Sequence, residues 1–359
     1  MKILTIHATN VTGLGAAQVV CSILHSFERV EHSFDRIVCY VPSSGPVSEY
    51  LSDSPNFEVK KISRGLPKSL SRVMECLFPA FYFNLGDNLI VLGDVPLRTK
   101  IPQLLFIHQP HLVFNSVNPN VGNGLLFKIM RGLTWLNSGY AKKVIVQTDA
   151  MKQGILDSYL DWKRRECVYA MKQPAPDWFN LSQSNHALKN YASGLKLFYP
   201  AAGYPHKNHQ LISDMVSLDI PSGVIDEVRV TLGSDHFSEN QSKLLKFLGR
   251  LDQGQCLIEY ERADALVFPS LLESYGLPLV EAMTAGIPIL VADLPYAHTL
   301  CGDEAIYFDP MDAKSLLDAI TECHRKLTAG WSPDWSEQLA ELPSSWDEVA
   351  SFFLKQLAD

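Results

Sequence analysis

Cysteine is sparse and unpatterned: Cys21, Cys39, Cys76, Cys167, Cys256, Cys301 and Cys323 stand far apart, odd in number and with no C-x-x-C pair. That spacing argues against a disulfide framework or a zinc site and predicts free, mostly buried thiols in a reducing compartment. No stretch approaches the roughly 18 consecutive apolar residues of a membrane span. The apolar start, Met1 to Ile6, reaches His7 too soon to be a signal-peptide core, so a cytoplasmic location is expected. A basic surplus is missing as well: 31 Lys and Arg face 39 Asp and Glu, a net charge of −8. Wrapping nucleic acid would need the opposite balance, and no nucleic-acid partner is expected. Internal repeats, low-complexity tracts and an Asp-x-Asp metal motif are all absent. With 47% apolar and 19% charged residues, disorder and coiled coil are disfavoured too.

What remains is an ordinary globular composition over 359 residues, enough for two domains. Short β-branched or aromatic runs that end in Gly, Pro or a polar residue, each followed by a helical pattern, mark strands. They lie at Lys2–Ile6, Arg36–Tyr40, Leu89–Leu92, Leu104–His108 and Lys143–Gln147, then at Lys196–Tyr199, Glu227–Leu232, Ala265–Phe268 and Pro288–Val291. Apolar on both faces and separated by helix-length segments, they predict an α/β fold of two Rossmann-like, doubly wound parallel sheets. The weakly patterned stretch Met171–Gly194 holds the expected linker, giving domains over residues 1–175 and 190–344. The amphipathic pattern of Trp346–Leu357 predicts a carboxyl-terminal helix, about 345–359, packing back on the first domain.

Four segments can carry chemistry. After the first strand, Asn10-Val-Thr-Gly-Leu-Gly-Ala-Ala-Gln18 places Gly13 and Gly15 ahead of an apolar helix, where backbone can approach an anion; a tight turn without a ligand would use the same glycines. The third glycine of a dinucleotide fingerprint is Gln18 here, which disfavours a dehydrogenase. His108 ends a strand, where doubly wound folds bind ligands, although a histidine tied to a carbonyl would look alike. His111 reads as a loop residue. In Tyr199-Pro-Ala-Ala-Gly-Tyr-Pro-His-Lys207-Asn208, a lysine in a Gly/Pro turn is placed to neutralise phosphate, with a solvated turn lysine as the plain alternative. The fourth segment runs from Ala265 to Pro288: a strand, a loop with Glu273, then Gly276 and Pro278 opening a helix that carries Glu281. The amides of Tyr275, Gly276 and Leu277 head that helix and favour phosphate, while carboxylates accept hydrogen bonds from hydroxyls. A nucleoside diphosphate sugar has both groups.

Glu273, seven intervening residues and Glu281, set in P-S-x-x-E-S-Y-G-L-P-L-V-E-A-M-x-x-G-I-P, resemble the signature of the retaining GT4 glycosyltransferases of GT-B architecture. The likeness continues at residues 15–20, His108, Pro205-His-Lys-Asn208, Phe247-Leu-Gly249 and residues 302–310, so it spans both domains. The resemblance implies that Glu281 binds the donor ribose and Glu273 the donor sugar. It implies that Lys207 contacts the diphosphate, with Asn208, Ser274 and the amides of Tyr275 to Leu277 completing the donor site. His108 would lie near the reacting sugar, and Gly13 and Gly15 near the diphosphate and acceptor. Relatives often carry an arginine where this chain has Ala202. Its loss should cost about 2 to 4 kcal/mol of leaving-group stabilisation unless His206 or an arginine from elsewhere replaces it.

The expected activity is therefore transfer of a sugar, with retention and without a metal or other cofactor, from a UDP- or GDP-linked donor to a glycan acceptor. Front-face attack, with the leaving phosphate taking the acceptor proton, follows from the family. O-antigen or capsule assembly on a polyprenyl diphosphate carrier is the family's common employment. The basic and aromatic stretch Pro67–Leu85 suits peripheral contact with the inner membrane, though an ordinary buried helix and strand would read alike. Lys142 and Lys143 read as the decoration of a helix end. A low-activity sugar-nucleotide-binding or scaffold subunit is the alternative reading, motivated by Ala202. An epimerase lacks support in the acidic pair, and a phosphorylase would need a cofactor-holding lysine that the sequence does not present.

Overall fold

The computed structural model describes residues 1–51, 53–114, 124–179, 191–233 and 243–358. They form two compact units: residues up to 176 together with 343–358, and residues 177–342. Of the stretch in which the linker is expected, 180–190 lie outside the described residues.

The first unit is built on strands β1 (Ile3–His7), β2 (Arg36–Pro42), β3 (Phe57–Ile62), β4 (Asn88–Val91), β5 (Gln103–Phe106), β6 (Ala141–Val146) and β7 (Val168–Ala170), in the order β3-β2-β1-β4-β5-β6-β7. Every pairing is parallel, with β1 inside the sheet: Leu4 sits opposite Ile37 on one side and Asn88 on the other. Strand cores such as Leu104, Leu105 and Phe106 are fully buried because helices cover both faces. The carboxyl-terminal helix Trp346–Ala358 belongs to this unit. Trp346 Nε1 donates to the carbonyl of Ala175 at 3.0 Å, and Phe353 stands edge-on to Phe106, ring centres 5.3 Å apart.

The second unit repeats the plan with β8 (Leu195–Tyr199), β9 (Ile225–Val230), β10 (Leu245–Phe247), β11 (Ala265–Phe268), β12 (Ile289–Ala292) and β13 (Ile306–Phe308), in the order β10-β9-β8-β11-β12-β13, all parallel. In each sheet the order reverses once, between β1 and β4 and between β8 and β11. Loops leaving neighbouring strands there diverge to opposite faces and open a crevice at the strands' carboxyl ends.

Four strands, β3, β7, β10 and β13, escape the sequence reading, and all four are sheet edges. Edge strands bury less: β7 and β10 each bury one residue of three, whereas β11 and β12 bury every residue. The continuous apolar run that betrays a central strand is missing from them. The helix-end reading of Lys142 and Lys143 is likewise corrected: both lie on β6, as the strand predicted from Lys143 onward had it for the second of them, with the Lys143 ammonium 5.8 Å from the Tyr169 ring centre.

Candidate functional site

The strongest concentration of candidate residues in the second unit lies at its crevice. Beyond β8 the chain turns through the 3-10 segment Pro205–Lys207, and Asn208 adopts a left-handed backbone (φ 54°) before the helix His209–Met215. The loop after β11 is tied to this turn: Leu271 N and the Ser270 hydroxyl both donate to the carbonyl of His206, at 2.7 and 3.2 Å. Tyr199 OH donates to the carbonyl of Lys207 at 2.7 Å, and Tyr296 OH to that of Ser270 at 2.7 Å. Two loops 66 residues apart in sequence are thus fixed against each other. Their side chains meet as an ion pair between the Lys207 ammonium and the Glu273 carboxylate, with the ammonium 5.5 Å from the Phe268 ring centre. Both side chains keep some solvent contact, 17% and 12%. Asn208 is spent on the fold, its amide donating to the carbonyl of Pro310 at 2.8 Å.

Four residues after Glu273, the helix Leu277–Thr284 begins with Pro278 in its second position and no side chain capping it. Gly276 precedes it with φ +102°, a conformation L side chains rarely adopt, and a Cβ there would come within 3.0 Å of Leu279 Cδ1. Tyr275 and Leu277 are buried and Ser274 is half-buried. Glu281, in the helix's second turn, is buried as well, and Tyr260 OH donates to its Oε2 at 2.6 Å. Burial pushes its pKa up to about 7 against the opposing effect of the Tyr260 bond. Tyr260 itself is held edge-on by Phe179 and Phe198, at 5.0 and 5.2 Å. The site therefore offers a cation, an acceptor beside it, a helix amino end and a second carboxyl whose charge costs little to gain or lose near neutrality.

Nothing among the arginines of this sheet replaces the one absent at Ala202. Arg229, on β9, is bound by Glu259 through Nε and Nη2 and by Glu227 through Nη1 at 3.2 Å, so its charge is already neutralised. His206 stacks on Tyr204 with ring centres 5.7 Å apart.

In the first unit, His108 follows β5 with its Nε2 3.0 Å from the carbonyl of Leu92, its backbone N–H bonded to Asp94, and its ring stacked on Phe106. His111 is buried in the 3-10 turn Pro110–Leu112 rather than in an open loop. Gly13 caps the helix Leu14–Phe27, and a Cβ at Gly13 or Gly15 would meet nothing within 4 Å, so both glycines border open space. Behind this loop lies a network that sequence reasoning missed. Glu75 receives both Nε and Nη2 of Arg64 at 2.7 Å and the Thr9 hydroxyl at 2.8 Å. Thr9 in turn lies 2.9 Å from His7 Nε2. Arg64 and Arg72 both donate to the Asn10 side-chain oxygen, at 2.8 and 2.9 Å. Burial alone would push the Glu75 carboxyl up, but His7, acting through Thr9, and the hydrogen bonds and charge of Arg64 outweigh it and hold it at about 2. Burial lowers the pKa of His7, favouring the neutral ring, with Nε2–H directed at Thr9. A lone acid three residues after the basic stretch 60–72 was the available signal for Glu75; for Tyr260 there was none.

All seven cysteines are free and all but the half-buried Cys256 are buried. Among the described residues no three of His, Cys, Asp and Glu come together as a metal cluster would require, and no helix is long and apolar enough to cross a membrane.

Comparison with known proteins adds family to geometry. The family described as glycosyl transferases group 1 matches residues 238–326, which contain Glu273, Gly276 and Glu281. The O-antigen chain mannosyltransferase RfbU of Salmonella typhimurium is 34% identical over 126 residues, 33% of this chain and 35% of that protein, so the match spans about a third of its relative's length. Anabaena HepE, solved in complex with UDP and glucose, superposes with a TM-score of 0.63 at 16% identity, covering 100% of this chain and 98% of its own. WaaG, a glycosyltransferase involved in lipopolysaccharide biosynthesis, superposes with a TM-score of 0.64 at 14% identity, covering 98% and 99%. Residues 238–326 of the second unit are thus similar to the group 1 glycosyl transferases, and the chain as a whole has the GT-B fold.

Proposed function

We propose that this protein transfers a sugar from a nucleotide-sugar donor to a hydroxyl of a glycan in O-antigen biosynthesis, with retention and without a metal ion. The observation that carries the reading is the Lys207–Glu273 pair at the reversal point of the second sheet, beside the helix that carries Glu281. Lys207 and the amino end of that helix stabilise the charge that grows on the departing diphosphate. Glu273 holds hydroxyls of the donor sugar, and Glu281 takes the two ribose hydroxyls. No carboxylate is assigned as a covalent nucleophile; the leaving phosphate accepts the acceptor's proton on the same face. His108 is assigned to the reacting sugar, and Gly13 and Gly15 to the diphosphate and the acceptor.

RfbU supports a mannosyl donor, and HepE, solved with UDP, supports a nucleoside diphosphate. The acceptor fitting the O-antigen reading is a glycan on a polyprenyl diphosphate at the cytoplasmic face of the inner membrane. Thermal-shift screening of UDP- and GDP-sugars, followed by nucleotide-release assays with carrier-linked glycans, tests the assignment. Acceptor-dependent release that drops at least a hundredfold in Lys207→Ala supports it. Donor binding with no release under any acceptor would favour the scaffold reading instead.

A further inference from the structure

Glu281 sits in surroundings that suit an apolar side chain. It is 6% exposed, its helix neighbours Leu279, Val280, Ala282 and Met283 are buried with it, and among the described residues it has no ion-pair partner. A single hydrogen bond, from Tyr260 OH to Oε2, answers its two oxygens; among the described residues Oε1 accepts none. Burial accordingly opposes its charge. For packing alone an apolar residue of similar size would serve better, because a polar atom withdrawn from water without a partner costs stability. The open oxygen is explained by a ligand that donates to it.

The donor on the other oxygen is unusually well held. Tyr260 lies on the helix Gln253–Arg262 and is fully buried. Its hydroxyl has two acceptors in reach, Glu281 Oε2 at 2.6 Å and, more weakly, the carbonyl of Pro278 at 3.4 Å. Burial and the nearby Glu281 carboxylate keep its pKa well above 10, so the phenol stays a donor. The ring is gripped on two sides, by Phe198 of β8 and by Phe179, each edge-on at 88°. Phe179 is itself buried, three residues beyond Pro176, after which the chain enters the second unit. The entering segment is thus packed onto the tyrosine that holds the carboxyl. Fixing one oxygen of a carboxyl group by a rigid donor limits its rotation, and the free oxygen then meets a ligand hydroxyl in one geometry.

We propose that Tyr260 is a positioning residue for the donor ribose: by holding Glu281 Oε2 it presents Oε1 to the vicinal hydroxyls and sets a preference for ribonucleotides over 2′-deoxyribonucleotides. The inference rests on the proposed assignment of Glu281 to the ribose. It is tested with the full chain by calorimetry with UDP, GDP, their 2′-deoxy counterparts and inorganic pyrophosphate. Wild type should bind the preferred ribonucleotide about tenfold or more tighter than its deoxy counterpart, a ratio that Glu281→Gln reduces to about threefold or less. Tyr260→Phe, which removes one oxygen, should also reduce the ratio to about threefold while leaving pyrophosphate affinity within about twofold of wild type. A Tyr260→Phe protein that keeps the wild-type ratio, or that loses affinity for all three ligands in equal measure, would overturn the proposal and leave Glu281 on the ribose. A wild type without preference, or one that binds neither nucleotide, would sink the ribose assignment and the proposal with it. Should Tyr260→Phe fail to fold, Phe179→Leu takes its place, since it keeps the hydroxyl and loosens the ring that carries it. A ratio at least halved in that variant supports the proposal, and an unchanged ratio overturns it.

Discussion

Lys207 and Glu273 neutralise each other across two loops that the fold holds together. The cation assigned to the diphosphate is occupied by the carboxylate assigned to the sugar, so a donor must enter by sharing or opening this pair. Glu273→Gln should release the ammonium and tighten binding of inorganic pyrophosphate or a free nucleoside diphosphate about three- to tenfold. Sugar transfer should fall in the same variant by two or more orders of magnitude, as expected when a transition-state contact is removed. Calorimetry with pyrophosphate beside turnover measurements checks both halves. Weaker anion binding in Glu273→Gln would mean that the pair is a scaffold and not a gate.

Glu281 should make the proposed donor site pH-sensitive. Its folded pKa is about 7 because it is buried, against an ordinary value of 4.5, so the folded protein holds a proton that the unfolded chain has lost between those values. The associated stability is fully present below about pH 4.5 and is lost as pH rises through 7, a swing of roughly 3 kcal/mol. Glu281→Gln should therefore melt higher than wild type at pH 8 and close to it at pH 4.5. Ribose hydroxyls donate best to the ionised carboxylate, so nucleotide affinity should rise with pH through 7 in wild type and stay flat, about ten- to a hundredfold weaker, in the glutamine variant. Titrations at pH 6, 7 and 8 decide it, and equal pH slopes in both proteins would remove Glu281 from the ribose.

Gly276 is held in a backbone conformation that costs an L side chain energy, and its Cβ would crowd Leu279. Gly276→Ala should cost about 1 to 3 kcal/mol of stability or shift the helix head. Either outcome should raise the donor KM by about tenfold, read by initial rates beside a melting curve. A variant with wild-type stability and KM would show that the turn is not fixed by this residue.

The central strands were legible because burial on both faces demands uninterrupted apolar runs, as in Ala265–Phe268. Glu273, Gly276 and Glu281 were legible because loop, turn and helix follow one another within a single short segment. The supporting contacts were not. Tyr260 reaches Glu281 over 21 residues and Thr9 reaches Glu75 over 66, and such partners are brought together by tertiary packing that no local pattern encodes. Arg229 teaches the same lesson in reverse: a strand arginine in the second unit is consumed by Glu259 and Glu227.

The Phe353 ring meets Phe106, and Phe106 in turn stacks on His108 at 5.3 Å. The carboxyl-terminal helix therefore supports the strand end that presents the histidine. Phe353→Ala should cost about 3 to 5 kcal/mol by opening a fully buried cavity. Phe353→Leu should lose far less, and turnover should fall in the order wild type, leucine, alanine at a temperature where all three are folded. Loss of stability without any change in turnover would confine the helix to a structural part.

Glu75 gives the first unit an acid-labile lock. Its carboxyl is held at about 2, against burial, by the Arg64 guanidinium bonded to it and by His7 behind Thr9, against 4.5 when free. A depressed folded pKa means stability that is complete above about pH 4.5 and drains away as pH falls toward 2, roughly 3 kcal/mol in all. Glu75→Gln leaves the Arg64 guanidinium without its carboxylate and should cost about 3 kcal/mol at pH 7. Because the variant has no carboxyl to protonate, the gap to wild type should close as the pH is lowered. Urea midpoints at pH 7, 4 and 3, followed through the aromatic signals of the first unit, measure that gap directly. Since Thr9 and Asn10 hang on the same network and lead into Gly13, the variant should also bind acceptor less well at pH 7 and lose less of its affinity for nucleotide, which Lys207 and Glu281 are proposed to hold. A gap that stays constant with pH would show that Glu75 is not the group being titrated.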